Sequence, residues 1–322
     1  MNLFSRIRNF FSNHWLGSSI IAFLIVWMIG VRFYNYANLE SGYARISGIL
    51  ESVEELRSGA TADYLLAASD FASMSALVYL DESNGGAINS RLAEDGIDLS
   101  DSLEGWTEIE LPASLPMKPD DFDNDQAWLD GELVYSIWIR ELDDKKAEVA
   151  LVFRGTHTWG DWWSNLRWFT RFLSFGWDQY DLTRTVARHV EKNVKTLHPA
   201  LSGKESVEII AAGHSLGGGL AQQAGYAAES IKRVYSFNGS SVTGHYSVIG
   251  DVEKSKEGMR IYRVGERGEV LAYLRAFMRL IYPVVERNPK IVEVTYNFGS
   301  GNLIKQHSMA ELAKALQDFS AQ

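Results

Sequence analysis

The chain of 322 residues contains no cysteine, which removes disulfides and thiolate-ligated metals from consideration and leaves its redox compartment open. Proline is scarce, at 6 residues, so no proline-rich linker divides the chain. Basic charge is also in deficit: Lys and Arg number 31 against 41 Asp and Glu, a net of −10. Residues 1–32 hold Arg6, Arg8 and Arg32 and no acid, so the remainder is more acidic still. Such a surface is repelled by nucleic-acid phosphates and gains nothing electrostatically from an anionic bilayer. A nucleic-acid partner is therefore excluded, and any lipid contact must come from apolar and aromatic side chains. No metal or cofactor is expected. The acidic run at 120–125, DDFDND, resembles a calcium loop in composition alone and reads as a solvated acidic loop.

What the chain does have is an uncharged stretch near its start. Trp15 to Val31 reads WLGSSIIAFLIVWMIGV. As a helix it spans about 25 Å, and its polar and aromatic flanks bring it near the bilayer's hydrocarbon thickness. No small-residue cleavage site follows, so an uncleaved anchor over 1–37 is expected rather than a signal peptide. The flanking arginines give a slight bias toward an N-inside orientation, with the large domain on the non-cytoplasmic side. Residues 38–64 carry Ile46, Leu50, Val53 and Leu56 at helical spacing, which predicts a helical stalk.

The remainder, 65–322, reads as one α/β domain. Asp70 to Leu80 is helical in pattern, and 81–130 is loop-rich and acidic. Two β-rich runs follow, Glu132 to Arg140 and Glu148 to Phe153, with Lys145-Lys146 near the turn between them. Helical periodicity from Gln179 to Leu197 then alternates with strands at Val207 to Ala212, Val234 to Phe237, Arg260 to Val264 and Ile291 to Thr295. A final helix runs from Ser308 to Phe319. This alternation predicts a mostly parallel sheet with crossover helices.

The segment richest in chemistry is VEIIAAGHSLGGGLAQQAGYAA, from Val207 to Ala228. It sets Gly213-His214-Ser215-Leu216-Gly217 between an apolar strand and a small-residue helix, the context that G-x-S-x-G requires. The serine must occupy a strained turn so that its Oγ projects from the sheet. Glycines two before and two after it clear the neighbouring strand and helix. The amides at the helix start face a developing oxyanion. Ser215 is thus the candidate nucleophile of an ester hydrolase.

GHSLGGGLA resembles the elbow of the class 3 (fungal-type) lipases, where GHSLGGALA is usual. Val152 to Leu166, VFRGTHTWGDWWSNL, is similar to that family's R-G-[ST] motif followed by Asp-Trp and Asn-Leu. VYSFNG at Val234 to Gly239 is similar to its strand ending in Phe-Asn-Gly. The resemblance covers roughly Asp70 to Phe319. It implies an α/β-hydrolase fold, an acyl-enzyme on Ser215, and an oxyanion hole from the amides of Leu216 and Thr156. Of the 7 histidines, it points to His307 at the start of the last helix as the base, with His245 the alternative. His214, beside the nucleophile, should point away from it. The acid aligns with Glu269, where the family has aspartate; Glu266 and then Asp251 are the alternatives. A plain loop charge paired with Arg267 is the competing reading of Glu269.

Residues 156–177 hold half of the chain's 10 tryptophans, among them Trp159, Trp162, Trp163 and Trp168. Related lipases carry a lid in this region. A lid or interfacial patch and a core filled with aromatics are equally compatible with the pattern. The expected activity is hydrolysis of lipid acyl esters, by a lipase or phospholipase, with lipid and membrane as partners. The alternatives are an acyltransferase and an inactive membrane-tethered binding module on the same fold.

Overall fold

The computed structural model describes residues 43–46, 49–52, 62–79, 97–111, 133–155, 179–240, 257–269, 271–272, 275, 290–298 and 305–321, with scattered positions between 19 and 30. Nine strands form one sheet: β1 (Tyr43–Ile46), β2 (Ile49–Ser52), β3 (Trp106–Ile109), β4 (Tyr135–Glu141), β5 (Lys146–Phe153), β6 (Ser206–His214), β7 (Ile231–Phe237), β8 (Arg260–Glu266) and β9 (Lys290–Tyr296). Their spatial order is β2-β1-β9-β8-β7-β6-β5-β4-β3. β5 through β9 are parallel, and an antiparallel pair extends each edge. The expected α/β class with a mostly parallel sheet is therefore observed.

Among the described residues, helices α1 (Ala62–Leu66), α2 (Ala68–Leu77), α3 (Gln179–Asn193), α4 (Leu216–Ala227) and α5 (Met309–Ala321) accompany the sheet. The central strands are apolar on both faces, as strands covered on both sides must be. In β5, Val149, Leu151 and Phe153 join one core with Leu182, Val186 and Val190 of α3 and Leu220 of α4. Ala150 and Val152 point the other way, to Phe71 and Met74 of α2 and Leu312, Leu316 and Phe319 of α5. The period-2 alternation of strands and the 3–4 spacing of the helices thus give a three-layer sandwich with two cores. Each fully buried Leu, Val or Phe adds on the order of 2 kcal/mol from burial.

Two expectations change. The stalk predicted as a helix over 38–64 contains the β1–β2 hairpin instead, pairing Tyr43 with Ser52 and Ile46 with Ile49. β1 then joins β9 through Arg45 opposite Thr295. The apolar spacing at Ile46 and Leu50 suits a helix, but these residues pair across two strands, Arg45 with Leu50 and Ile46 with Ile49. β3 likewise lies inside the stretch read as loop. As for the N-terminal span, Ser19, residues 22–24, 26, 27 and Gly30 are helical, and most of 15–31 lies outside the described residues. Among the described residues no helix is long and apolar enough to cross a membrane.

A charged layer lies near the amino ends of β5–β7. Arg140 and Arg233 each donate to the buried Glu148, at 2.6 and 2.5 Å. Arg140 also meets Asp70 at 3.0 Å and lies 4.4 Å over the Trp106 ring, whose Nε1–H donates to Asp70 at 3.0 Å.

Candidate active site

The opposite, carboxyl ends of the parallel strands gather the chemistry-bearing residues, where ligands bind in open α/β sheets. β6 ends at His214 and α4 begins at Leu216, so Ser215 alone makes the turn. Its backbone is forced to φ 57, ψ −122, a conformation that costs a non-glycine residue on the order of 1–3 kcal/mol. Three backbone bonds hold it there. Ser215 N–H donates to Phe237 O at 3.0 Å, and the Ser215 carbonyl accepts from Ser240 at 2.8 Å and Gly218 at 3.1 Å.

The surrounding glycines are required by contact. A β-carbon on Gly217 would run into the Phe153 carbonyl, and one on Gly213 would run into the Gly217 carbonyl. One on Gly155, just past β5, would strike the Tyr79 hydroxyl and lie 3.2 Å from the Ser215 β-carbon. The loop after β5 therefore lies directly against the serine. Leu216 opens α4, so its N–H belongs to the first-turn donors that have no partner within the helix.

Glu269 follows β8 and His307 precedes α5. The structure brings them together: His307 Nδ1 lies 2.6 Å from Glu269 Oε2. Glu269 is fully buried and His307 and Ser215 nearly so. The same Glu269 oxygen accepts the Leu271 N–H at 2.8 Å, while Oε1 accepts from Arg275. Burial pushes the Glu269 carboxyl upward. The Arg275 charge, the His307 hydrogen bond and charge, and the Leu271 amide outweigh it, so the group ends below its ordinary value and stays ionised. The glutamate is thus no solvated loop charge, and its cation is Arg275 rather than Arg267. Glu266, the alternative acid, ends β8 and accepts the Phe298 N–H at 3.1 Å. Asp251, His245, Thr156, Trp159, Trp162, Trp163 and Trp168 lie outside the described residues.

Four further residues shape the site. Asn238, at φ 41, caps β7; its side-chain oxygen accepts the Glu266 N–H at 2.8 Å and its own N–H donates to Val264 O. The signal was legible as Asn-Gly after a strand. Arg275 bridges Glu269 and the Gly239 carbonyl, the latter at 2.9 Å. No pattern marked it, because one partner is a main-chain carbonyl on the loop after β7 and the other is a carboxylate six residues back. Tyr79, just past α2, and His214 touch through Tyr79 Oη and His214 Nδ1 at 3.0 Å. The Nε2 of His214 meets the His307 carbonyl at 2.9 Å.

A strained serine at a helix start and a buried carboxylate–imidazole pair are the parts of nucleophilic acyl transfer. Among the described residues no cluster of His, Cys, Asp or Glu is arranged to hold a metal ion.

No curated protein matches the chain. Among solved structures, the crystal structure of M37 lipase is similar at 12% identity, covering 78% of this chain and 79% of that one, with a TM-score of 0.35. The family model that matches is phospholipase-like, the Tle-like phospholipase domain, over residues 70–275, well over half of the chain. The resemblance read from the sequence therefore holds at the level of a lipase- or phospholipase-like hydrolase, and the family matched is not described as class 3 lipases. His307 lies beyond the matched stretch. The chain belongs to the Tle-like phospholipase domain family.

Proposed function

We propose that this protein is a serine hydrolase that cleaves acyl esters of membrane phospholipids through a covalent acyl-enzyme. The observation that carries the reading is the buried Glu269–His307 pair at the same sheet end as the strained Ser215. Ser215 Oγ attacks the ester carbonyl. His307 takes its proton and returns it to the leaving alcohol, and the acyl-enzyme is then cleaved by water that His307 activates. Glu269 orients the imidazole and stabilises its charged form. The amides of Leu216 and Thr156 hold the oxyanion, the second of these resting on the family resemblance alone.

The family match supports a phospholipid as substrate, and the acidic surface requires that lipid contact be apolar. We assign that contact to the segment holding Trp159, Trp162, Trp163 and Trp168, and tethering to residues 15–31, with the hydrolase domain on the non-cytoplasmic side. The exposed, helical Phe23, Leu24 and Val26 support the tether.

Incubation with phosphatidylcholine vesicles, with release of free fatty acid as the readout, tests the activity. Fatty acid from wild type and none from Ser215→Ala supports the reading. Transfer of the acyl group to an added alcohol in place of water would make the protein an acyltransferase. No turnover in either variant contradicts the reading. Protease treatment of intact cells tests sidedness; a fully protected domain would refute the orientation.

A further inference from the structure

Between the loop after β5 and the loop before α5 runs a continuous chain of hydrogen bonds that uses none of the proposed catalytic side chains. Gly155 N–H donates to Tyr79 Oη at 3.0 Å. Tyr79 Oη lies 3.0 Å from His214 Nδ1, and His214 Nε2 lies 2.9 Å from the His307 carbonyl. Chemistry fixes every proton in it. A carbonyl oxygen only accepts, so His214 Nε2 carries the hydrogen. In a neutral ring Nδ1 is then the acceptor, and the Tyr79 hydroxyl donates to it. The hydroxyl oxygen in turn accepts from Gly155. The alternative target of the hydroxyl, the His214 carbonyl, is farther away at 3.5 Å.

The two ends of this chain matter separately. Gly155 precedes Thr156 and lies against Ser215, on the side where the second oxyanion donor is proposed. The other end is the main chain of the proposed base itself. The rings of His214 and His307 also touch, their centroids 4.6 Å apart and their planes tilted by 45°. We propose that Tyr79 and His214 are positioning residues that hold the oxyanion-side loop and the His307 backbone at a fixed separation about Ser215. This rests on the serine-hydrolase reading above.

The ring must be neutral for the relay to exist, since a second hydrogen on Nδ1 would displace the tyrosine's. Burial and the neighbouring His307 and Arg275 charges hold His214 well below its ordinary value, and a neutral ring results. Tyr79 after α2 and His307 before α5 touch it, and the Arg275 charge after β8 acts on it through space. None offers the anionic partner that would favour an imidazolium. A misplacement of about 1 Å is enough to cost up to about 100-fold in rate, so a clamp of this kind acts on turnover rather than on substrate binding.

The test is steady-state hydrolysis of a short-chain nitrophenyl ester by wild type, Tyr79→Phe, His214→Phe, His214→Gln and the double phenylalanine variant. The rate of fluorophosphonate inactivation and the thermal midpoint are measured beside it. His214→Phe keeps the ring's bulk but neither bond; a kcat lower by about 30- to 100-fold with KM within about twofold is expected. His214→Gln places an N–H near the lost Nε2 and should recover about tenfold of that loss. The double variant should be no slower than His214→Phe alone, because both changes cut one chain. Additive losses, an unchanged kcat, or loss of thermal stability with normal turnover would each overturn the proposal. Tyr79→Phe removes a single oxygen and decides the matter alone if His214→Phe does not fold. Failure of wild type to react with the fluorophosphonate sinks the hydrolase reading and this proposal with it. Reaction of wild type with unchanged rates in every variant sinks this proposal alone.

Discussion

Asp70 and Glu269 are two carboxylates sunk at opposite ends of the same sheet, and each is bonded to one arginine and one aromatic N–H. Asp70 meets Arg140 and the Trp106 indole, and Glu269 meets Arg275 and the His307 imidazole. Their acidities nonetheless move in opposite directions. Burial dominates at Asp70 and holds it above its ordinary value, against the Trp106, Arg140 and Ser69 contacts. At Glu269 burial is overcome by Arg275, His307 and the Leu271 amide. Arg140 is divided between Asp70 and Glu148, whereas Glu269 gains a backbone donor and a partner able to carry a proton. An indole does not titrate near neutral pH, so the first cluster can only pack. An imidazole can accept and release a proton, so the second contains a group able to carry one. Similar contact types thus yield a structural joint at one end of the strands and, in the proposed reading, a reactive pair at the other.

The largest effect that sharpens this contrast is Glu269→Gln. The amide keeps the shape but removes the charge that orients and stabilises His307. We expect kcat to fall by about 10⁴-fold with little change in KM, read on a soluble ester. Retention of more than a tenth of the activity would mean that another group is the acid.

Arg275→Gln comes next. It removes the first of the causes that lower Glu269 and unties the Gly239 carbonyl. Burial then prevails and the carboxyl moves upward. The acid limb of the kcat/KM profile should shift to higher pH, with a loss of about tenfold at neutral pH. A profile that only scales, without shifting, would leave Arg275 a purely structural tie.

Stability against pH should separate the two carboxylates. Glu269 is lowered by folding, so its contribution is present above its unfolded value and is lost as pH falls through the folded one. Asp70 is raised, so its contribution has the opposite sign: it weakens folding as pH climbs from the unfolded value through the folded one. Denaturant midpoints across the acid range check both, using the two amide variants as references.

The smallest effect is Asp70→Asn. Its oxygen still accepts from Trp106 and Arg140, and Arg140 keeps Glu148. Activity should be unchanged, and stability should shift by no more than about 1 kcal/mol. A loss of activity there would break the separation between the two ends of the sheet.

Much of this was legible because the chemistry is local in sequence. The strained serine, its glycines and the helix after it lie within one run, so Gly213 to Gly217 disclosed the elbow. The alternation of apolar strands with amphipathic helices disclosed the layers. Glu269 and His307 were reachable only through the family resemblance, because nothing in either segment says that their side chains meet. The contacts of Tyr79, Arg275 and His214 were illegible for a sharper reason: each includes a main-chain carbonyl or amide of a distant segment, and any residue can supply those. The β1–β2 hairpin was missed because four-residue strands are too short for their alternation to outcompete an accidental helical spacing.

The central claim is that Ser215 is an activated nucleophile served by the Glu269–His307 pair. Its most direct test is intact-protein mass after a fluorophosphonate pulse on wild type, Ser215→Ala and Glu269→Gln, with lipid vesicles present. One phosphonyl adduct on wild type, none on Ser215→Ala and slow labelling of Glu269→Gln are the predicted results. An unlabelled wild type, or equal labelling of wild type and Ser215→Ala, would contradict it.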